Sequence, residues 1–86
     1  MYVVCTYDVN EKRCAKVMKV MRKYLFHVQE SVFEGELNPN QLVRLENELS
    51  AIITESDSIH FYYTYNNKNM YKKTLGKGSG ASNVLI

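Results

Sequence analysis

The chain alternates between two spacings of apolar residues, one typical of strands and one typical of helices. Spacings of three and four residues predict an amphipathic helix over 11–25 and a second one that begins at Pro39. Asn10 and Asn38 precede these helices, and asparagine side chains accept hydrogen bonds from the open amides of a first turn. Between and around the helices, strand patterns occupy residues 2–9, 26–37 and 59–65.

Two features refine the prediction of strands. Gly35 is expected to bend the segment 26–37, which is either one long strand or two short strands that meet at a kink. Another short strand is predicted over 70–75, after a turn at Asn66 and Asn67. The order favours an α+β sandwich of the ferredoxin-like type, β-α-β-β-α-β, with an antiparallel sheet and both helices on one face. Residues 1–75 are expected to form this domain, and residues 76–86 a flexible linker that ends in a strand.

The first strand is apolar on both faces, with Val3 on one and Val4 on the other. Because both helices cover the same face of the sheet, something else must cover the second face. A second copy of the chain is the economical cover, since 86 residues build only a small core. A two-fold axis through the open faces would bring Asp8 towards the same residue of the second copy. A carboxylate among apolar neighbours also needs a cation, a metal or hydrogen-bond donors.

The charged residues are segregated along the chain, which carries a net charge of +2. Acidic residues fill the middle of the sequence, so we expect a basic and an acidic side. The basic side fits contacts with phosphates, and a solvated helix face is the other explanation of the same pattern. The basic residues form two groups without acids among them: Lys12, Arg13, Lys16, Lys19, Arg22 and Lys23, and then Lys68, Lys72, Lys73 and Lys77.

Other sequence features bear on the compartment. No apolar stretch approaches the roughly 20 residues that a membrane span needs, and the chain starts with strand sequence, so we expect a cytoplasmic protein without a membrane partner. Cys5 and Cys14 lack the C-x-x-C spacing and are expected to be buried small hydrophobes in a reducing compartment.

Four segments of the chain together resemble a known family. The resemblance covers essentially the whole chain, and the run Q-x-S-V-F-E-G after a Y-D-V strand end is its most specific part. The segments are Tyr7-Asp8-Val9, Arg13 early in the helix, V-Q-E-S-V-F-E-G at 28–35, and the strand-like end at 82–86. They resemble Cas2, the small CRISPR-associated protein of spacer acquisition.

The resemblance implies a homodimer in which Asp8 faces its mate in a cleft between the subunits and holds a divalent cation, Mg²⁺ or Mn²⁺. It implies phosphodiesterase activity on single-stranded RNA or double-stranded DNA. It also implies a role as the central dimer between dimers of the CRISPR integrase Cas1, which needs a basic surface and need not use catalysis. The C-terminal strand in such proteins often pairs with the partner's sheet. Tyr7, Ser31 and Phe33 correspond to family residues near the cleft.

The residues themselves leave several of these roles open. Asp8 also fits a structural role, either capping the first helix or pairing with Arg13, and Arg13 fits either that pairing or a phosphate contact. Tyr7 points away from Asp8 and, like Phe33, fits the core. Ser31 has no histidine at a recognisable spacing to act as its base.

The remaining basic residues are candidates for contacts with nucleic acid. We expect these lysines to contact phosphates without reading bases, so that affinity falls steeply with salt. They are Lys12, Lys16, Lys19 and Lys23 on the outer side of the first helix, and Lys72, Lys73 and Lys77 near the C-terminal strand.

Three functions are consistent with the sequence. The first is a metal-dependent endonuclease that uses Asp8. The second is a non-catalytic adaptor that joins the integrase to DNA, and both roles can belong to one protein. The third is a VapD-like ribonuclease toxin, a class that shares this fold and an aspartate at the end of the first strand. His27 and His60 are expected to be partly buried strand residues with satisfied hydrogen bonds, and sensitivity of a dimer to pH is the functional alternative for either.

Overall fold

An antiparallel sheet with two helices packed on one face makes up the described part of the chain. The structure is a computed structural model that describes residues 1–66 and 68–77, together with the backbone of 82–84. The elements are β1 Tyr2–Asp8, α1 Glu11–Tyr24, β2 Phe26–Gln29, β3 Val32–Glu36, α2 Pro39–Ser50, β4 Ser58–Thr64, β5 Tyr71–Gly76 and β6 Ser82–Val84. The strand order in the sheet is β2-β3-β1-β4-β5-β6, and all neighbours are antiparallel. The predicted ferredoxin-like fold is confirmed.

Both helices begin at the predicted caps. The side chain of Asn10 accepts a hydrogen bond from the amide of Lys12 at 2.9 Å. Asn38 accepts from the amide of Gln41 at 2.8 Å, and the Gln41 side chain accepts from the Asn38 amide at 2.9 Å. This reciprocal pair satisfies two open amides of the first turn, and Pro39 gives up no hydrogen bond there.

The core lies between the helices and the inner face of the sheet. Val17 and Met21 of α1 are buried there, and Tyr7 and Phe33 are buried as predicted. Cys5 is also buried, and burial raises the pKa of its thiol. The core further contains Val3, Leu25, Leu37, Leu42, Leu45, Leu49, Ile59 and Phe61. These side chains place the helices over one face, and no helix or loop among the described residues covers the other face of the sheet.

The segment 26–37 forms two strands, but they do not meet at Gly35. The turn lies at Glu30, whose φ of 36° is in the left-handed region. Gly35 lies inside β3, where a Cβ would come within 3.2 Å of Leu25 Cδ2. The prediction of a bend at Gly35 was therefore wrong, because the glycine permits close packing of β3 against Leu25 rather than a turn.

The C-terminal part of the chain extends the sheet beyond β4. β5 pairs with β4 and β6 pairs with β5 of the same chain. β5 continues to Gly76, one residue past the expected domain boundary. Residues 78–81 of the expected linker, the apolar end at 85–86 and Asn67 of the expected turn lie outside the described residues. Pairing of the last strand with a partner's sheet stays a prediction. Neither described helix has the length and apolar character needed to cross a membrane.

Candidate functional site

The face of the sheet opposite the helices carries Asp8 at its edge. Val3, Cys5 and Tyr7 point into the core, so the alternate residues of β1 point to the other face. The strand register places the neighbouring side chains of β3, β4, β5 and β2 beside them. We call this surface the open face; it consists of Tyr2, Val4, Thr6, Asp8, Phe26, Val32, Glu34, Glu36, Ser58, His60, Tyr62, Thr64, Lys72 and Thr74.

The open face has an apolar part and a polar part. Val4, Val32 and the 79% exposed Phe26 form the apolar part. On the polar part, Nδ1 of His60 lies 2.9 Å from Oγ1 of Thr74. This division allows the apolar part to pack against a second surface while the polar part remains available for a ligand.

Asp8 is exposed, although the apolar sequence before it suggested a buried carboxylate. It is the last residue of β1 and lies opposite Ser58 of β4. Its side chain has no hydrogen bond or ion pair with the described residues, and the cap of α1 is Asn10. Neither structural role considered for Asp8, capping or pairing with Arg13, is therefore present, and its carboxylate is available to a ligand.

The chemistry of Asp8 fits one ligand position of a divalent cation. Mg²⁺ prefers oxygen ligands and is commonly held by one or two carboxylates together with waters and substrate phosphates. Within the described residues of one chain, no three side chains of histidine, cysteine, aspartate or glutamate are grouped to hold a metal. A complete site would therefore need ligands from a second copy, from water or from a substrate.

Arg13 contacts a different aspartate from the one expected. Its Nε donates to Oδ2 of Asp57 at 2.6 Å and its Nη2 to Oδ1 at 2.9 Å. The amides of Asn10 and Thr54 also donate to this carboxylate, each at 2.9 Å. The Arg13 guanidinium and these amides hold the pKa of Asp57 well below its usual range. A contact between Arg13 and a phosphate stays a prediction.

In the sequence, Asp57 is one of the acids that fill the middle of the chain, and nothing nearby marks it as a partner of Arg13. It is 1% exposed. The available signal was weak: Thr54 and Asp57 stand three residues apart just before a strand, a spacing that suits a side-chain turn. This pattern does not reveal that a guanidinium from α1 joins the turn.

The predicted phosphate-binding lysines separate into three groups. Lys12, Lys16 and Lys19 are exposed on α1, which lies on the helix side of the sheet. Lys72 lies on the open face, 5.7 Å from the ring of Tyr62. Lys77 follows Gly76, which lies opposite Ser58, so it is at the same end of the sheet as Asp8.

Two other predicted lysines already have acidic partners. Lys23 pairs with Glu48 of α2, and Lys73 donates to Oε1 of Glu46 at 2.9 Å. Lys73 alternates with Lys72 and points to the helix side of the sheet. The basic residues therefore do not form the single continuous side that the charge pattern predicted.

Ser31 and His27 lie near the β2–β3 turn. The carbonyl of Ser31 accepts from the amide of Tyr7 at 3.1 Å, which places Ser31 beside the end of β1. His27 is exposed rather than partly buried, and its ring stacks on Phe33 with centroids 4.6 Å apart. His60 is partly buried, as expected.

Comparison with known proteins agrees with this architecture. The family model described as CRISPR associated protein Cas2 matches residues 1–72. The chain is 49% identical over 87 aligned positions to the CRISPR-associated endoribonuclease Cas2 of Thermotoga maritima, with all of both chains covered. It is 42% identical to the protein of the same name in Methanosarcina acetivorans, again over the whole of both chains.

Solved structures show the same similarity. A crystal structure of Cas2 superimposes with a TM-score of 0.70 at 50% identity, covering 72% of this chain and 71% of the other. Streptococcus pyogenes Cas2 superimposes with a TM-score of 0.69 at 40% identity, covering 78% and 89%. The family model spans most of the sequence and the relatives match it from end to end, so the chain belongs to the Cas2 family of CRISPR-associated proteins.

Proposed function

We propose that the chain is a metal-dependent endonuclease of CRISPR adaptation that acts as a homodimer and hydrolyses phosphodiester bonds in single-stranded RNA or double-stranded DNA. The observation that carries the proposal is the exposed Asp8 side chain, which has no partner among the described residues and lies on the face that the helices leave uncovered. The endoribonuclease names of the T. maritima and M. acetivorans relatives support nuclease chemistry.

Two chains would supply two Asp8 carboxylates to one cleft. A divalent cation held there supplies an activated water and positive charge for a phosphate. Repulsion between the carboxylates disfavours their approach without the cation, so cation binding and dimer formation should favour each other. The exposed Lys77, at the same end of the sheet, is placed to contact a phosphate of the bound strand.

The test replaces the charge of Asp8 without changing its size. Asp8→Asn should lower cleavage of matched RNA and DNA substrates by at least about 100-fold, because an essential group in proton transfer or metal binding contributes about that much. Glu55→Gln is the control, since Glu55 is an exposed acid in the loop before β4. Mn²⁺ binding followed by electron paramagnetic resonance should weaken in the Asp8 variant only. Full cleavage by pure, folded Asp8→Asn would refute the proposal.

A second function is favoured by the position of the α1 lysines. Lys12, Lys16 and Lys19 are exposed on the side of the sheet opposite Asp8, so they offer phosphates a surface that is separate from the carboxylate. This arrangement suits an adaptor that supports DNA between integrase dimers without cutting it. Spacer acquisition in cells distinguishes the roles: the adaptor needs Lys16 and Lys19 but tolerates Asp8→Asn. Loss of acquisition in the Asp8 variant would contradict a purely adaptor role.

A further inference from the structure

We propose that Asp57 is a positioning residue for Asp8: with Arg13 it holds the turn that follows Asp8 and so fixes the direction of the Asp8 carboxylate. The proposal rests on the proposed nuclease function, and it assigns a task to a buried ion pair that the cleavage chemistry itself does not use. Its support comes from four contacts around the end of β1.

The first contact is a hydrogen bond just beyond the last residue pair of β1 and β4. The ladder between β1 and β4 ends at the pair of Asp8 and Ser58. Asp57 immediately precedes Ser58, and its Oδ1 accepts from the amide of Asn10 at 2.9 Å, two residues beyond Asp8. The carboxylate therefore holds the two chains together just past the last strand pair, where strand ends otherwise fray.

Further contacts fix the carboxylate itself. Arg13 donates to both of its oxygens, and the Thr54 amide donates to Oδ2 at 2.9 Å. Because Asp57 is 1% exposed and both oxygens are occupied, rotation would break charged hydrogen bonds away from water. Arg13 lies in the first turns of α1, so the Asp57 carboxylate also holds the start of this helix.

The backbone of Asp57 is held from the side of β5. Its carbonyl accepts from the amide of Lys77 at 2.7 Å. Gly76 has a φ of 79°, and a Cβ there would lie 2.2 Å from the same carbonyl oxygen. Only glycine allows β5 to pass this closely, so Asp57 is fixed between the β1–α1 turn and the end of β5.

Asp8 depends on this support because its own side chain has none among the described residues. Without a hydrogen bond or ion pair of its own, the carboxylate follows the backbone of residues 8–10. A displacement of about 1 Å in a reacting group can cost about 100-fold in rate. Loosening the turn should therefore affect metal binding and turnover even though Asp57 does not touch the substrate.

The test compares two buried carboxylates. Asp57→Asn removes the negative charge that Arg13 and the amide of Asn10 contact. The control is Glu46→Gln, since Glu46 is 7% exposed and paired with Lys73, and it lies near Met1 at the opposite end of β1. Both variants are studied where at least nine-tenths of the protein is folded. We expect faster hydrogen exchange at the Asn10 amide, about tenfold weaker Mn²⁺ binding and about tenfold lower kcat in Asp57→Asn alone, with KM little changed.

Equal values of exchange, Mn²⁺ affinity and kcat in the two variants would overturn the proposal. If Asp57→Asn does not fold, Arg13→Lys replaces it, because lysine keeps the charge but cannot make the two-pronged contact. A folded Arg13→Lys protein with wild-type Mn²⁺ affinity and kcat would also overturn it. Cleavage that survives Asp8→Asn refutes the proposed function. If cleavage depends on Asp8 but is the same in Asp57→Asn as in Glu46→Gln, only the positioning role is refuted.

Discussion

At the scale of single residues, two aspartates near the same end of the sheet have opposite environments. Asp8 is exposed and has no side-chain partner among the described residues, whereas Asp57 is buried and accepts hydrogen bonds from Asn10, Arg13 and Thr54. The first arrangement leaves a carboxylate ready for a cation from solvent. In the second arrangement, hydrogen-bond donors occupy both carboxylate oxygens, so Asp57 has a structural role and no free oxygen for a ligand.

The ion pair of Asp57 should make stability depend on acid. Because the folded protein lowers the pKa of this carboxyl, its contribution is present above the unfolded value of about 4 and is lost as the pH falls below it. We expect Asp57→Asn to reduce the free energy of unfolding at pH 7 by about 2 kcal/mol. Between pH 5 and pH 2 this free energy should then decrease less in the variant than in the wild-type protein. Urea denaturation at each pH measures both effects.

Glu48→Gln serves as the comparison for this acid effect. Lys23 and Tyr24 also lower the pKa of Glu48, but that group is partly exposed and solvent weakens its ion pair. Glu48→Gln should therefore change the decrease of the free energy of unfolding at low pH less than Asp57→Asn does. If the free energy of unfolding decreases as steeply at low pH in Asp57→Asn as in the wild-type protein, another carboxyl is responsible for the loss of stability in acid.

At the scale of elements, α1 combines a packing face with an exposed basic face. Val17 and Met21 are buried against the sheet, while Lys16 and Lys19 are exposed. Lys23 continues the basic stripe but pairs with Glu48, so it joins the two helices. The stripe predicted from the sequence therefore contains lysines with different tasks, and only those without an acidic partner among the described residues offer their full charge to a phosphate.

Neutralising the exposed stripe should weaken binding to nucleic acid in a salt-dependent way. The double variant Lys16→Gln/Lys19→Gln should lower the slope of log affinity against log salt by about 2 on duplex DNA, since each phosphate contact contributes about 0.9. The loss should be similar for unrelated sequences. Fluorescence anisotropy over a salt series measures the slope. Arg44→Gln on the acidic helix α2 is the control, and an unchanged slope in the double variant would exclude this surface.

At the scale of the whole molecule, the described part of a single chain leaves one face of its sheet without a covering layer. Val4, Val32 and Phe26 lie on this open face, while the helices fill the opposite side. Covering it with a second copy would bury these side chains and bring the two Asp8 residues together. The proposed activity therefore depends on assembly, because one chain supplies a single candidate ligand from β1.

The assembly can be tested at Val4, in the centre of the open face. The register places Glu34 and Tyr62 beside Val4, so an ammonium introduced by Val4→Lys has a carboxylate close by in the monomer and should not unfold it. Burying that charge between two sheets costs several kcal/mol, so the dimer dissociation constant should rise at least about 100-fold. Sedimentation analysis measures it. Val43→Lys, at a 52% exposed valine of α2, is the control. A dimer as tight in Val4→Lys as in Val43→Lys would exclude the open face.

The helices and strands and their order follow from local sequence signals. Helical and strand periods, the caps Asn10 and Asn38, and the apolar residues of β1 and α1 are local signals that a few neighbouring positions carry. The same local reasoning selected Asp8, because it ends the first strand within a motif that resembles a family. It failed at Gly35, where the need for a small residue comes from Leu25 on another segment.

The pairing of charged groups, in contrast, depends on how the distant segments of the chain pack together. Arg13 and Asp57 are 44 positions apart, Lys73 and Glu46 are 27 apart, and Lys23 and Glu48 are 25 apart. Such pairs form only after the helices have packed on the sheet, and the choice of partner depends on the burial and direction of each side chain. A local period specifies which face a residue occupies, but it contains no information about the residue that arrives opposite from a distant part of the chain.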